Sequence, residues 1–320
     1  MIHHKRVVIT GLGAVTPCGL TVEETWANMT AGRSGIGPIT LFDSSALAVH
    51  IAGEMKGFEP SNYMDFKESR RRDRFIQAAV AAARMAMTQA GLQVTPDNSG
   101  DIGCFVGSAT GGLKTYYDAA LLLHQGGPRK IPPFSISSTI CDGASSAISI
   151  DWGIHGPNFS PVSACAAGVD AIGLGYQSIK LGQCRAVVAG GSETPVMLSG
   201  MAAFDRLGAM SHNNDHPGAA CKPFDKNRDG LVMGEGAGIV ILEDLDYAVA
   251  RGARPLAEII GYGATSDAFH VTAPAPNGVG AVRAMHIALK DANLQPADID
   301  WLSAHGTATS LNDKYESQAI

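Results

Sequence analysis

Of the six cysteines, at positions 18, 104, 141, 165, 184 and 221, one is placed to do chemistry. Cys165 lies in SPVSACAAG (160–168), where an extended segment gives way to the amphipathic run VDAIGLGYQSIKLG. The unpaired backbone N–H groups of a helix start favour an anion, which lowers the pKa of a thiol there and makes it a nucleophile. The same N–H groups can hold an oxyanion formed by attack on a carbonyl. Ala164, Ala166, Ala167 and Gly168 leave room for a substrate. The competing reading is a buried small hydrophobe, the usual state of a free cysteine, and it is the reading adopted for the other five.

A second candidate is His305, in SAHGTATSLNDKYE (303–316), at the carboxyl end of an expected strand DIDWLSA (298–304). Ligand sites of open α/β sheets gather at such strand ends. His50, His124 and His286 sit in undistinguished surroundings, whereas Thr307 and Thr309 offer hydroxyls beside His305. A hydrogen-bonded structural histidine is the alternative.

Other motifs fail their chemical tests. Asp225, Asn227, Asp229 and Gly230 match the opening of an EF-hand loop, but Glu235 falls one residue before the position of the bidentate ligand, and Pro217 and Pro223 spoil the entering helix. GLGAVT (11–16) has Thr16 where a dinucleotide fingerprint needs glycine, and no glycine-rich loop ends in Gly-Lys-Ser/Thr. No metal and no nucleotide cofactor is indicated. FKESRRRDRF (66–75) and GGPRK (126–130) concentrate positive charge on a chain of net charge −6. Such patches are either solvated surface or docks for an acidic partner, because concentrated positive charge steers a negative surface toward it.

These residues need a scaffold. With 320 residues, 45% of them hydrophobic, the chain can bury a large core. The acidic balance argues against non-specific nucleic-acid binding. The cysteines form no CxxC pair, which fits a reducing cytosol rather than a disulfide framework. A basic start followed by VVITGLG raises a signal peptide, but the run reads better as a buried strand ending in a glycine turn, and no apolar run is long enough to span a bilayer.

Short β-branched runs at 6–11, 102–108, 185–191 and 238–244 predict buried strands, and they alternate with helical patterns at 75–91 and 281–293. The alternation implies an α/β protein with largely parallel sheets. An internal repeat appears as well. Between 79–93 and 281–295, seven of fifteen positions are identical; 101–112 answers 298–309, and 6–14 answers 256–264. Three matches in one order indicate a duplicated α/β unit. The division expected is a first half over 1–250 and the start of a second over 251–320.

SACAAG, PFDKNRDGLVMGEGAG and AHGTATSLNDKYE, in this order and at these distances, resemble the 3-oxoacyl-[acyl-carrier-protein] synthases, the II-type condensing enzymes of fatty acid synthesis above all. The resemblance runs from about residue 5 to residue 320. It implies a thiolase-like fold of alternating helix and sheet layers (αβαβα) from two duplicated halves, a cytoplasmic homodimer, and a ping-pong condensation that uses acyl carrier protein and needs no cofactor of its own. It implies that Cys165 accepts the acyl group and that His305 is the first of two active-site histidines. Thr307 and Thr309 would bind the phosphopantetheine arm, with His270 near its entrance, while Phe204 and Thr110 would line the acyl pocket. Lys67, Arg70, Arg71, Arg129 and Lys130 fall where such enzymes meet the carrier protein. Many relatives carry a bulkier apolar residue in place of Thr110, which leaves the chain-length preference open.

The family's active-site lysine, second histidine and glycine-rich phenylalanine loop would lie beyond residue 320, and Glu316 resembles the glutamate that pairs with that lysine. A protein ending there is expected to be inactive in condensation and to expose a large apolar surface. The same chemistry on a polyketide pathway is the near alternative. A non-catalytic chain-length factor is disfavoured by the presence of Cys165, and a Coenzyme A thiolase by the SAHGTAT context.

Overall fold

The structure is a computed structural model, and it describes residues 4–320. Along the chain run β1 (Val7–Val15), α1 (Val22–Thr30), β2 (Ile36–Pro38), β3 (Ile51–Gly53), α2 (Phe66–Ser69), α3 (Arg74–Ala90), β4 (Ile102–Gly107), α4 (Leu113–Gly126), α5 (Ser135–Thr139), α6 (Gly143–Trp152) and β5 (Asn158–Phe159). They are followed by α7 (Ala167–Lys180), β6 (Ala186–Glu193), α8 (Leu198–Arg206), β7 (Gly236–Asp244), α9 (Leu245–Ala250), β8 (Ala257–Ile259), α10 (Val279–Ala292) and α11 (Ser310–Ala319). The contacts divide the chain into two compact units. The first holds residues up to Gly35, Glu54–Met197 and Gly234–Ile259; the second holds Ile36–Gly53, Leu198–Met233 and Ile260–Ile320.

The first unit is built on a six-stranded sheet of order β5-β4-β6-β7-β1-β8. The four buried strands read from the sequence are β1, β4, β6 and β7. Their pairing corrects the expectation of a largely parallel sheet. β4 is parallel to β5 and β6, but β7 runs back between β6 and β1 and is antiparallel to both, as is β8 to β1. Helix α3 spans the core side of this sheet. Its N-terminus is capped by the Asp73 side chain, and Gly91 closes its C-terminus at φ 60°, a conformation glycine adopts without strain.

Alanine dominates α3 because strand and helix approach backbone to backbone. A Cβ added to Gly11 would lie 2.1 Å from the Ala86 carbonyl oxygen, and one added to Gly13 1.8 Å from that of Ala82. The second unit repeats this contact. A Cβ on Gly261 would lie 2.4 Å from the Ala288 oxygen, and one on Gly263 2.2 Å from that of Ala284. Ala82/Ala284 and Ala86/Ala288 are aligned pairs of the sequence repeat, so the duplication is visible in three dimensions.

The two copies differ in cover. On α3, Ala79, Val80, Ala83, Ala86 and Met87 are all buried, whereas on α10 only Gly280 is. Along α10 runs an apolar groove of about 630 Å³ lined by Ile260, Val282, Met285, Leu289, Trp301 and Leu302 among others. Trp301 is 81% exposed on its rim. The expected strand 298–304 does not form: 298 ends a short 3-10 turn and 299–304 carries no regular structure. A strand persists only when its backbone groups are paired, and among the described residues no neighbouring strand pairs with this segment. The counterpart of β1 in the repeat, 256–264, is likewise a strand only over Ala257–Ile259.

Candidate active site

At the carboxyl ends of β4 and β6 the first turn of α7 sits directly on the sheet. A Cβ on Gly107 would lie 2.2 Å from the Ala167 carbonyl oxygen, and one on Gly191 2.9 Å from the Gly168 Cα. Cys165 is exposed, in a 3-10 turn (Ala164–Ala166) that leads into α7, so the sequence reading of a cysteine at a helix start describes its position well. The residue before it is strained. Ala164 has φ 52°, a left-handed conformation that costs a non-glycine residue roughly 1–2 kcal/mol and that gathers at functional sites. The Ser163 hydroxyl donates to the Asp170 carboxylate and ties this turn to the first turn of α7.

The remaining cysteines divide by burial. Cys104 is fully buried, which pushes its thiol up to about 12, and burial also raises the thiols of Cys184 and Cys141. These three are poor nucleophiles. Cys18 is half-buried, and Cys221 is exposed, a correction to its expected burial.

The turn after β4 is held by a residue that sequence reasoning passed over. Glu193, at the end of β6, accepts hydrogen bonds from the Ala109 N–H (2.5 Å), the Thr110 hydroxyl (2.5 Å), the Ser108 hydroxyl (3.2 Å) and the Thr110 N–H (3.3 Å). Thr110 itself is exposed. Glu193 follows the glycines that close β6, and only the pairing of β6 beside β4 brings it to this turn.

In the second unit the His305 segment is a loop rather than a strand end, and helix α11 shapes it. Glu316 accepts the backbone N–H groups of His305 (2.6 Å) and Gly306 (2.8 Å). Asp313, 1% exposed, accepts the N–H groups of Phe224 (2.7 Å) and Ala308 (3.1 Å) and lies 3.5 Å from the Arg228 guanidinium. Arg228 also donates to the carbonyls of Thr309 and Ser310. Two non-glycine residues on these loops, Phe224 (φ 63°) and Ala308 (φ 61°), are left-handed, and the Asp313 carboxylate, which accepts both of their N–H groups, stabilises those conformations. The Thr307 and Thr309 hydroxyls lie 2.9 Å apart. His305 is exposed, with Thr307, Thr309 and Glu316 half-buried around its loop. His270 is exposed, its Nδ1 accepting the N–H groups of Thr272 and Ala273, and Phe204 is half-buried on α8. Thus Cys165 and Thr110 belong to the first unit, and His270, Phe204, His305, Thr307, Thr309 and Glu316 to the second.

The rejected calcium loop has its carboxylates engaged locally. Asp225 accepts the Asn227 N–H, and Asp229 pairs with Lys222 and Ser211. Among the described residues no group of three His, Cys, Asp or Glu could hold a metal ion.

The basic patch is only partly free to dock. Arg72 is bound bidentately by Asp151 at 2.6 and 2.7 Å, and Arg71 pairs with Glu68 while lying 4.7 Å over the Phe134 ring. Lys67, Arg70, Arg129 and Lys130 are exposed. Arg70, Arg71, Leu122 and Phe134 line one concave surface, so charge and apolar area are interleaved.

The model of the beta-ketoacyl synthase N-terminal domain matches residues 4–248 and that of the C-terminal domain residues 256–320. The 3-oxoacyl-[acyl-carrier-protein] synthase 2 of Staphylococcus aureus (strain COL) is 45% identical over 320 residues, covering 100% of this chain and 77% of that protein. The solved ishigamide ketosynthase/chain length factor superposes with a TM-score of 0.90 at 38% identity, covering 99% of this chain and 77% of the other. A type II PKS acyl-carrier protein in complex with its ketosynthase bound to the hexaketide gives 0.88 at 31%, again with 99% and 77% covered. Among the described residues no helix is long and apolar enough to cross a membrane. With both domain models matched, over residues 4–248 and 256–320, and the thiolase-like α/β fold shared with solved ketosynthases, the chain belongs to the beta-ketoacyl synthase family.

Proposed function

We propose that this protein elongates acyl chains in fatty acid synthesis by decarboxylative condensation, with Cys165 as the acyl-accepting nucleophile. The observation that carries the proposal is Cys165 itself, exposed at the start of α7 behind a strained Ala164. Its sulfur attacks the thioester carbonyl of an acyl-loaded carrier protein; the carrier thiol leaves with a proton, and the acyl group stays on Cys165. Malonyl-carrier protein then loses CO₂, and the carbanion formed attacks the Cys165 thioester, releasing the thiolate and a chain two carbons longer. N–H groups at the start of α7 serve as the oxyanion hole.

His305 donates to the oxygen of the malonyl thioester as the enolate forms, so it acts as a neutral donor. Glu316 supports it through the His305 and Gly306 backbone. Thr307 and Thr309 hold the phosphopantetheine arm, His270 stands at its entrance, and Phe204 and Thr110 line the acyl pocket. The substrate brings its own carrier group, so no resident cofactor or metal takes part. The acting form is a cytoplasmic homodimer without nucleic-acid or membrane partners. A second copy is favoured at the free sheet edge β5, where Phe159 and Val162 are more than half exposed.

Incubation with acyl-loaded carrier protein is expected to add one acyl mass to the peptide holding Cys165, and Cys165→Ala to abolish it. Labelling that persists on the mutant removes Cys165 from the role. Product analysis separates a fatty acid from a polyketide pathway.

The carrier protein is proposed to dock on Lys67, Arg70, Arg71, Arg129 and Lys130. The double charge reversal Arg70→Glu with Lys130→Glu is expected to weaken carrier binding by roughly ten-fold or more at low salt, with the gap closing as salt is added. Calorimetry at two ionic strengths reads this, and an unchanged affinity places the dock elsewhere.

A further inference from the structure

Ser163, Ala164, Cys165 and Ala166 are all exposed, so packing does little to fix the turn they form. The helix that follows is fixed. Ala167 is 3% exposed and Ala171 fully buried, and the close approaches of Gly107 to Ala167 and of Gly191 to Gly168 seat this end of α7 on the sheet. We propose that Asp170 is a positioning residue for the nucleophile: from the first turn of α7 its carboxylate holds the Ser163 hydroxyl and so keeps Cys165 in the strained turn from which it attacks. The inference rests on the reading of Cys165 as the acyl-accepting nucleophile.

The turn needs a restraint. Ser163 stands at φ −122°, ψ 42°, Ala164 is left-handed at φ 52°, and Ala166 has already reached φ −86°, ψ −8°. A non-glycine residue leaves the left-handed region for an easier one unless its surroundings forbid it. Two hydrogen bonds forbid it here: the Ala166 N–H donates to the Ser163 carbonyl at 3.1 Å, and the Ser163 hydroxyl donates to the Asp170 carboxylate. The second is of the stronger kind, because its acceptor is ionised, about twice as strong as a neutral pair. The N–H groups of the helix start also favour a carboxylate in that first turn. No side chain caps α7 at its N-cap residue Ala166, so Asp170 does from inside the helix what a capping hydroxyl does from outside it.

Ser163 and Asp170 bracket Cys165 along the chain, one on the exposed turn and one on the seated helix. Releasing the hydroxyl lets Ala164 relax and carries the sulfur with it. A displacement near 1 Å at a reacting centre is worth about two decades in rate, so the tie acts on the chemistry although neither side chain touches the substrate. Asparagine at 170 keeps an oxygen acceptor for the hydroxyl, and threonine at 163 keeps the hydroxyl itself. Alanine at either position removes the bond.

The test follows acylation by intact mass, at saturating octanoyl-loaded carrier protein, for the wild type, Ser163→Ala, Asp170→Ala, Asp170→Asn, Ser163→Thr and the double alanine variant. Each single alanine variant is expected to lose roughly ten-fold or more in rate constant, and the two conservative variants to stay within about three-fold of the wild type. The double variant is expected to lose no more than either single one, because the same bond is broken in all three. A merely structural role would shrink the fraction of protein that can be acylated and leave the rate constant of the remainder alone. Wild-type rate constants in both single alanine variants, with the wild type itself acylated, overturn the inference and leave the nucleophile standing; losses that multiply in the double variant overturn it as well. A wild type that takes up no octanoyl group fails at the nucleophile, which removes the reading beneath the inference and the inference with it.

Discussion

Alanine at Gly107 is expected to slow acylation of Cys165 by roughly 10- to 100-fold while leaving the protein folded. The added methyl would stand 2.2 Å from the Ala167 oxygen, 2.4 Å from the Ala167 carbonyl carbon and 3.0 Å from its Cβ. All three belong to the first residue of α7, so relief requires the helix start to lift from the strand rather than a side chain to rotate. Overpacking of this kind costs about 1–3 kcal/mol, a loss a core of this size survives. The Cys165 turn moves with the helix, and a displacement near 1 Å at a reacting centre is worth about two decades in rate. Gly103, on the same strand, is the control. There the closest contacts of an added Cβ are at 3.2 Å and 3.3 Å, the second to the Cys184 sulfur, and neither touches α7. Gly103→Ala is expected to lower the melting temperature slightly and to keep the acylation rate. Equal rates in Gly107→Ala and the wild type would show that the strand does not position the nucleophile.

Alanine at Asp313 is expected to destabilise the second unit by about 3–5 kcal/mol, because it removes one partner of a buried pair and strands the other. The Arg228 guanidinium loses its counter-charge, and the Phe224 and Ala308 N–H groups, both on left-handed residues, lose their acceptor. Urea unfolding reads this as a fall in midpoint. Replacing Arg228 by Met in the same background is expected to recover part of the loss, since no unpaired charge then remains, giving a coupling of about 0.5–3 kcal/mol. Additive losses would mean that the two side chains act independently. Condensation is expected to fail in Asp313→Ala through the displaced His305 loop. Acylation of Cys165, which lies in the first unit, is expected to survive it.

The proposed nucleophile was legible as a candidate in the sequence because it carries a local signature. Cys165 announces itself by small neighbours and a following amphipathic run, and α7 begins two residues after it. Strands β1, β4, β6 and β7 were legible for the same reason: each is a short β-branched run whose neighbours along the chain suffice to define it. The duplication was legible too, as matched spacings of glycine and alanine that become matched backbone contacts.

What the sequence could not supply was pairing. β7 reads identically whether it runs parallel or antiparallel, and only its return between β6 and β1 makes the sheet mixed. The run 298–304 has a strand's composition but no strand, since a ladder exists only where another backbone offers its donors and acceptors. Glu193 and Asp313 were invisible as functional residues for the same cause. Apart from Ala308, five residues before Asp313, the backbone and hydroxyl donors to these carboxylates lie 83 to 89 positions away along the chain, and a carboxylate's role is set by the groups that folding brings to it. Taken alone, the sequence singled out the proposed nucleophile, the repeat and the main strands of the first sheet, all properties of neighbouring residues. Tertiary structure alone decided which carboxylates hold the site's loops in place, because that depends on contacts between segments far apart in the chain.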